Sequence, residues 1–168
     1  MSILKISYWI SYQKEYLDLK KYSEELSIIF FSTPFDFESI DFLENIDVPC
    51  YKIASADVTN TPLQEKIAET GKPIILSTGA SELDDVKRAH EVITKKNENL
   101  YILHCTASYP ANLEDMNLNC IQTLIKTFPN NIIGLSDHEN GIDAASIAYM
   151  LGARIFEKHF TLNRAWKG

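Results

Sequence analysis

Residues 131–160, NIIGLSDHENGIDAASIAYMLGARIFEKHF, contain two apolar runs that each close on a polar triplet. Asn131-Ile132-Ile133-Gly134-Leu135 leads into Ser136-Asp137-His138, and Ala153-Arg154-Ile155-Phe156 leads into Glu157-Lys158-His159. Between them, Gly141 to Leu151 has the pattern of a short amphipathic helix closed by Gly152. This reads as a strand–helix–strand unit with a histidine at both strand tips. Strand side chains alternate faces, so Ser136 shares a side with His138, and Glu157 with His159. Neighbouring strands lie about 5 Å apart, so two imidazoles at matching ends can reach one metal ion.

The rest of the chain repeats this unit. Gln13 to Leu26 is helical in pattern, with Tyr16, Leu19, Tyr22 and Leu26 at steps of three and four. A β-branched and aromatic run, Ser27 to Phe31, follows and stops near Thr33 because Pro34 cannot continue a central strand. A helix is expected from about Glu38 to Asn45. Val48 to Ser55 is a strand with Lys52, Ser55 and Asp57 at its end, and Asn60-Thr61-Pro62 opens a helix, with Thr61 the expected cap and Pro62 in the first turn, that Gly71 ends. Pro73 to Leu76 is a strand leading into Ser77-Thr78-Gly79. That turn is expected to present backbone N–H donors at a helix start. Ser81 is the expected cap of a helix to Lys96, on which His90 reads as structural. Leu100 to Cys105 is a strand, and Asn117 to Phe128 a helix.

Six strands alternate with helices, without hairpin signals, so the class is α/β with a parallel sheet under helices. An open doubly wound sheet and a TIM-type (β/α)8 barrel both fit. No G-x-G-x-x-G loop follows the first strand, and polar residues stand at every strand end: Thr33, Lys52 and Ser55, Ser77, Thr106 and Tyr109, His138, His159. A barrel gathers all strand ends at one mouth, so this distribution favours it. Eight strands close such a barrel and six are counted, so an incomplete barrel of six βα units is expected, with unpaired edges around 28–33 and 153–159.

The 168 residues suit one domain, residues 1–168, with a net charge of −7 that gives no support to nucleic-acid or membrane partners. Three cysteines, Cys50, Cys105 and Cys120, show no CxxC spacing, which argues for a reducing compartment; Cys50 and Cys105, at the edges of strand-like runs, read as structural thiols. Ser2 to Tyr12 is too interrupted by polar and aromatic residues for a signal peptide, so a cytoplasmic location is expected. Two histidines beside Glu157 suit a divalent ion completed by water and substrate oxygens, such as Mn2+, better than a three-ligand catalytic zinc. Lys52, Ser55, Ser77 and Ser136 offer charge and hydroxyl donors to a phosphate or carboxylate.

The ordered succession Ser32-Thr33-Pro34-Phe35-Asp36, Tyr51-Lys52-Ile53-Ala54-Ser55, Ile75-Leu76-Ser77-Thr78-Gly79, Leu103-His104-Cys105-Thr106, Gly134-Leu135-Ser136-Asp137-His138 and Glu157-Lys158-His159-Phe160-Thr161 resembles the sialic acid synthase family. The resemblance runs from about Tyr16 to the end of the chain, including Leu162 to Gly168. It implies a transferase that condenses phosphoenolpyruvate with an N-acetylmannosamine-type aldose and releases phosphate by C–O cleavage. By matching position, His138 and His159 are implied to hold Mn2+ or Mg2+. Thr33, Lys52, Ser55, Ser77 and Ser136 are implied to hold phosphoenolpyruvate, and Tyr109 to contact substrate. Asp57 stands where the family commonly has Glu, near the reacting centre, and Glu157 matches an acid beside the metal. Ala107 replaces a residue that is often Asn. The family barrel begins with two further strands and is followed by a small antifreeze-like domain that reaches across a homodimer; neither has a match here. Two other readings stay open: a different phosphoenolpyruvate- or pyruvate-dependent sugar-acid synthase or aldolase, and an inactive truncated barrel that binds a partner.

Overall fold

The computed structural model describes residues 3–163, with side chains described from Gln13 onward. The reading of the first residues therefore falls partly, and that of 164–168 wholly, outside the described residues. The chain runs α1 (Ile3–Glu25), α2 (Phe37–Asn45), β1 (Tyr51–Ile53), α3 (Thr61–Glu69), β2 (Ile74–Ser77), α4 (Leu83–Thr94), β3 (Leu100–Cys105), α5 (Cys120–Thr127), β4 (Ile132–Asp137), α6 (Asp143–Met150) and β5 (Ile155–Lys158). The sheet is parallel throughout and ordered β1-β2-β3-β4-β5. Strand order follows chain order, so the topological switch point of a doubly wound sheet does not occur among the described residues. The architecture is a parallel α/β half-barrel.

Alternate strand positions explain the two sides of this sheet. Tyr51, Ile53, Ile74, Leu76, Leu100, Ile102, Ile133 and Leu135 join helix residues such as Ile67, Ile93 and Ile121 in one buried core. The intervening positions, Lys52, Ser77, Cys105, Ser136 and Glu157, face the other way and line a cavity. Registers align them: Lys52 lies opposite Ile75, Ser77 opposite Leu103, Cys105 opposite Ser136, and Ser136 opposite Glu157. Tyr51 and His104 bring polar groups among the helix-facing residues. Tyr51 donates to Glu44 Oε1 at 2.8 Å. His104 Nε2 donates to the Met116 carbonyl at 2.6 Å, and burial pulls its pKa below the ordinary 6.5.

The strand count is corrected from six to five among the described residues. The run at 28–33 forms only one parallel bridge, Ser32 to Tyr51. Its front is spent finishing α1: the N–H groups of Leu26, Ser27 and Ile28 bond back to the carbonyls of Tyr22, Glu24 and Ser23, with Ser27 at φ +57°. Its end is cut by Pro34, leaving Ile28 and Ile29 60% and 72% exposed. The expected open edge at β5 is present, since β5 pairs only with β4.

Two helix caps also move. Asn60, not Thr61, caps α3 by accepting from the Leu63 N–H, and Pro62 sits in the first turn. Glu82, not Ser81, precedes α4, and its N–H is taken by Asp85. Ser81 instead donates to the Gly79 carbonyl. The helix at 117–128 shortens to Cys120–Thr127 because Asn117 takes a positive φ of 45°. His90 is structural as expected: it bonds Asn131 at 3.0 Å and stacks on Phe128. No helix among the described residues is long and apolar enough to cross a membrane.

Gly134 marks the closest approach of β4 to its neighbours. A Cβ there would lie 2.3 Å from the Ile155 carbonyl oxygen and 2.5 Å from Leu103 Cδ2. The first obstacle is backbone and cannot rotate away. Gly134→Ala is therefore expected to destabilise the fold by about 3 kcal/mol, the upper end of ordinary overpacking costs. A urea unfolding midpoint equal to wild type would contradict this packing.

Candidate active site

The carboxyl ends of the strands open onto a cavity of about 620 Å3, within the range of small-molecule sites. Lys52 lies on its floor, only 7% exposed. Its ammonium is 3.6 Å from Glu157 Oε1. Burial pulls the Lys52 pKa below its usual 10.5, and the nearby Glu157 and Cys105 partly oppose that shift. Ser136 donates a short hydrogen bond to Glu157 Oε2, and Ser77 donates to the same oxygen at 3.5 Å. Three donors on three strands thus hold one carboxylate. An ammonium and two hydroxyls arranged this way have the chemistry to hold a carboxylate or phosphate oxygen.

The histidines stand just past β4 and β5. Their ring centroids are 5.2 Å apart. His138 Nδ1 is 2.9 Å from the Thr106 carbonyl. A carbonyl only accepts, so Nδ1 carries a proton, and in the neutral tautomer this selects, the lone pair is on Nε2. Tyr109 stacks on His138 at 4.1 Å and meets His159 edge-on at 5.5 Å. Among the described residues no three His, Cys, Asp or Glu side chains converge to enclose an ion by themselves.

Nine of the ten residues singled out in the sequence line this one cavity: Thr33, Lys52, Ser55, Ser77, Tyr109, Ser136, His138, Glu157 and His159. Asp57 is not among the lining residues. It sits in a 3-10 turn, Ser55–Asp57, where its carboxylate accepts from Asn60 Nδ2 at 2.9 Å. The Ser77-Thr78-Gly79 turn does not present the free donors expected of it. Thr78 N–H goes to the Leu103 carbonyl and Gly79 N–H to Ser55 Oγ at 2.8 Å, and α4 begins only at Leu83. Ser55 is thereby fixed against Gly79, where a Cβ would meet Ser55 Oγ and Cys105 Sγ at 3.0 Å.

Cys105, Phe35, Ala54, Asp137 and Lys158 also border the cavity and were missed as site residues. Cys105 is buried as expected of a structural thiol, but its sulfur lies 4.0 Å from His138 Nδ1. Strand parity was the available signal: Cys105 is two residues from Leu103 and opposite Ser136, so it faces the mouth while His104 faces the helices.

Fold and cavity together define a class: a parallel α/β half-barrel with an anion-holding floor and paired imidazoles at its strand ends. The chain belongs to the NeuB family, which matches residues 6–168. It is 42% identical over 165 residues to the N,N'-diacetyllegionaminic acid synthase of Campylobacter jejuni, covering 93% of this chain and 49% of that protein. Identity to human N-acetylneuraminate-9-phosphate synthase is 38% over 154 residues, covering 92% of this chain and 43% of the relative. The crystal structure of the N-acetylneuraminic acid synthetase of Leptospira borgpetersenii, in complex with citrate, matches with a TM-score of 0.87 at 41% identity. It covers 90% of this chain and 53% of the other. The chain thus spans under half the length of the curated relatives it matches.

Proposed function

We propose that this chain carries the phosphoenolpyruvate-binding and metal-binding part of a nonulosonic acid synthase. In the proposed reaction C3 of phosphoenolpyruvate bonds to the aldehyde carbon of an N-acetylated aldose. Water adds at C2, and phosphate leaves by C–O cleavage. The observation that carries the reading is the three-strand cradle of Lys52, Ser77 and Ser136 around a carboxylate, directly beside two imidazoles. Membership of a family whose named relatives are sugar-acid synthases supports the same chemistry.

Lys52, Ser77 and Ser136 hold the anionic end of phosphoenolpyruvate, with Thr33 and Ser55 at the cavity wall. Glu157 gives up its cradle to the incoming anion and is then free to accept a proton near the reacting carbons. Tyr109 packs the histidine rings in place. The donor set fits Mn2+ or Mg2+: His138 would offer Nε2 and His159 lies beside it, with water and substrate oxygens left to supply the remaining ligands. A bound divalent ion would supply Lewis-acid polarisation of the aldehyde oxygen and stabilise the alkoxide that develops there.

The test is phosphate release from phosphoenolpyruvate with Mn2+ and a panel of N-acetylated aldoses. Aldose-dependent release is expected. Mn2+ and phosphoenolpyruvate binding without release for any aldose would contradict the synthase reading and leave a binding module.

A further inference from the structure

We propose that Lys158 is a positioning residue that latches the backbone carrying His138 to the strand carrying His159. Asp137 and Lys158 are register partners at the ends of β4 and β5. Alternation sets them off the face held by Ser136 and Glu157, although both still border the cavity at its mouth. The Asp137 side chain is 2% exposed, and a carboxylate so buried requires pairing. Lys158 Nζ meets Asp137 Oδ2 at 2.6 Å and also donates to the Glu139 carbonyl at 2.6 Å. Asp137 Oδ1 in turn accepts the Glu139 N–H at 2.9 Å, and the Glu139 side chain accepts the Gly141 N–H.

One ammonium therefore closes the 138–141 loop onto β5. His138 is the first residue of that loop, and its carbonyl accepts the Ala111 N–H at 3.0 Å. His159 is the residue after Lys158. The latch sets the spacing of the two rings through the backbone it holds. A solvent-exposed ion pair would contribute little; the burial of Asp137 and the second bond to the Glu139 carbonyl distinguish this one. The arrangement extends the proposed metal role of the histidines, on which only its Mn2+ readout rests.

Amide hydrogen exchange, measured by NMR, tests the latch without metal. In Lys158→Met the Glu139, Gly141 and Ala111 amides are expected to exchange at least about tenfold faster while those of β2 stay unchanged. Lys158→Arg is expected to restore protection. Where Lys158→Met fails to fold, the Asp137→Asn/Lys158→Met double variant removes the buried charge, and its loop amides still exchange faster than wild type. Wild-type protection of these amides in either charge-removing variant, or equal acceleration across β2, overturns the proposal. Calorimetry with Mn2+ alone supplies the second readout. Lys158→Met is expected to weaken binding about 10-fold, the low end for an outer-shell partner, and Lys158→Arg to recover it. Absence of Mn2+ binding by the wild-type chain would instead defeat the metal reading, and the amide readout would still decide the latch.

Discussion

Lys52→Met is expected to lose phosphoenolpyruvate binding while keeping the fold. Lys52 is the buried cation of the cavity floor, and a bound anion that pairs with it there forms a desolvated charge pair, one partner of which costs about 2–5 kcal/mol to truncate. The smaller figure is already about a 30-fold loss of affinity. Stability is expected to hold, because Met conserves the stem and removes a desolvated charge, and Glu157 is open enough to be hydrated. The pH dependence gives a second handle. Burial lowers the Lys52 pKa below 10.5, so anion affinity is full below the lowered value and fades before an ordinary lysine would titrate. Stability moves the other way. Between the lowered pKa and 10.5 the unfolded chain binds more protons than the folded one, so Lys52's contribution to stability rises with pH across that window. Calorimetric titration with phosphoenolpyruvate, together with urea unfolding, checks both signs against Lys52→Met. Undiminished affinity in the variant would remove Lys52 from the site.

His138→Ala and His159→Ala are each expected to abolish tight Mn2+ binding. Each removes one of the two proposed protein ligands, so the loss should exceed the roughly 10–100-fold cost of removing an outer-shell partner. His138 is the more rigidly held of the two: its Nδ1–H is fixed by the Thr106 carbonyl and its ring is stacked under Tyr109. Calorimetry with Mn2+ alone measures the effect. Unchanged binding in both variants would sink the metal assignment.

The strand–helix–strand unit at 131–160 was legible because alternation, a helix-ending glycine and polar tips all agree locally, and β4, α6 and β5 fall where that pattern puts them. The run at 28–33 was misleading because composition cannot show that its first residues are used to close α1. Cap positions moved by one residue for the same reason: several polar neighbours compete, and geometry chooses between them. The cavity residues were largely recoverable from strand ends and ordered motifs. The carboxylate cradle was not, because Lys52, Ser77 and Ser136 reach Glu157 from three separate strands. Asp57 shows the converse limit. Its place in the motif suggested the reacting centre, whereas Asn60 holds its carboxylate in a turn.

The most direct test is a crystal structure of the chain with phosphoenolpyruvate and Mn2+, read by anomalous scattering from the metal. The expected result is a manganese peak between His138 and His159, with phosphoenolpyruvate oxygens on Lys52, Ser77 and Ser136 and the Glu157 carboxylate displaced from them. A manganese peak elsewhere, or phosphoenolpyruvate bound away from the cradle with Glu157 still seated in it, would contradict the account.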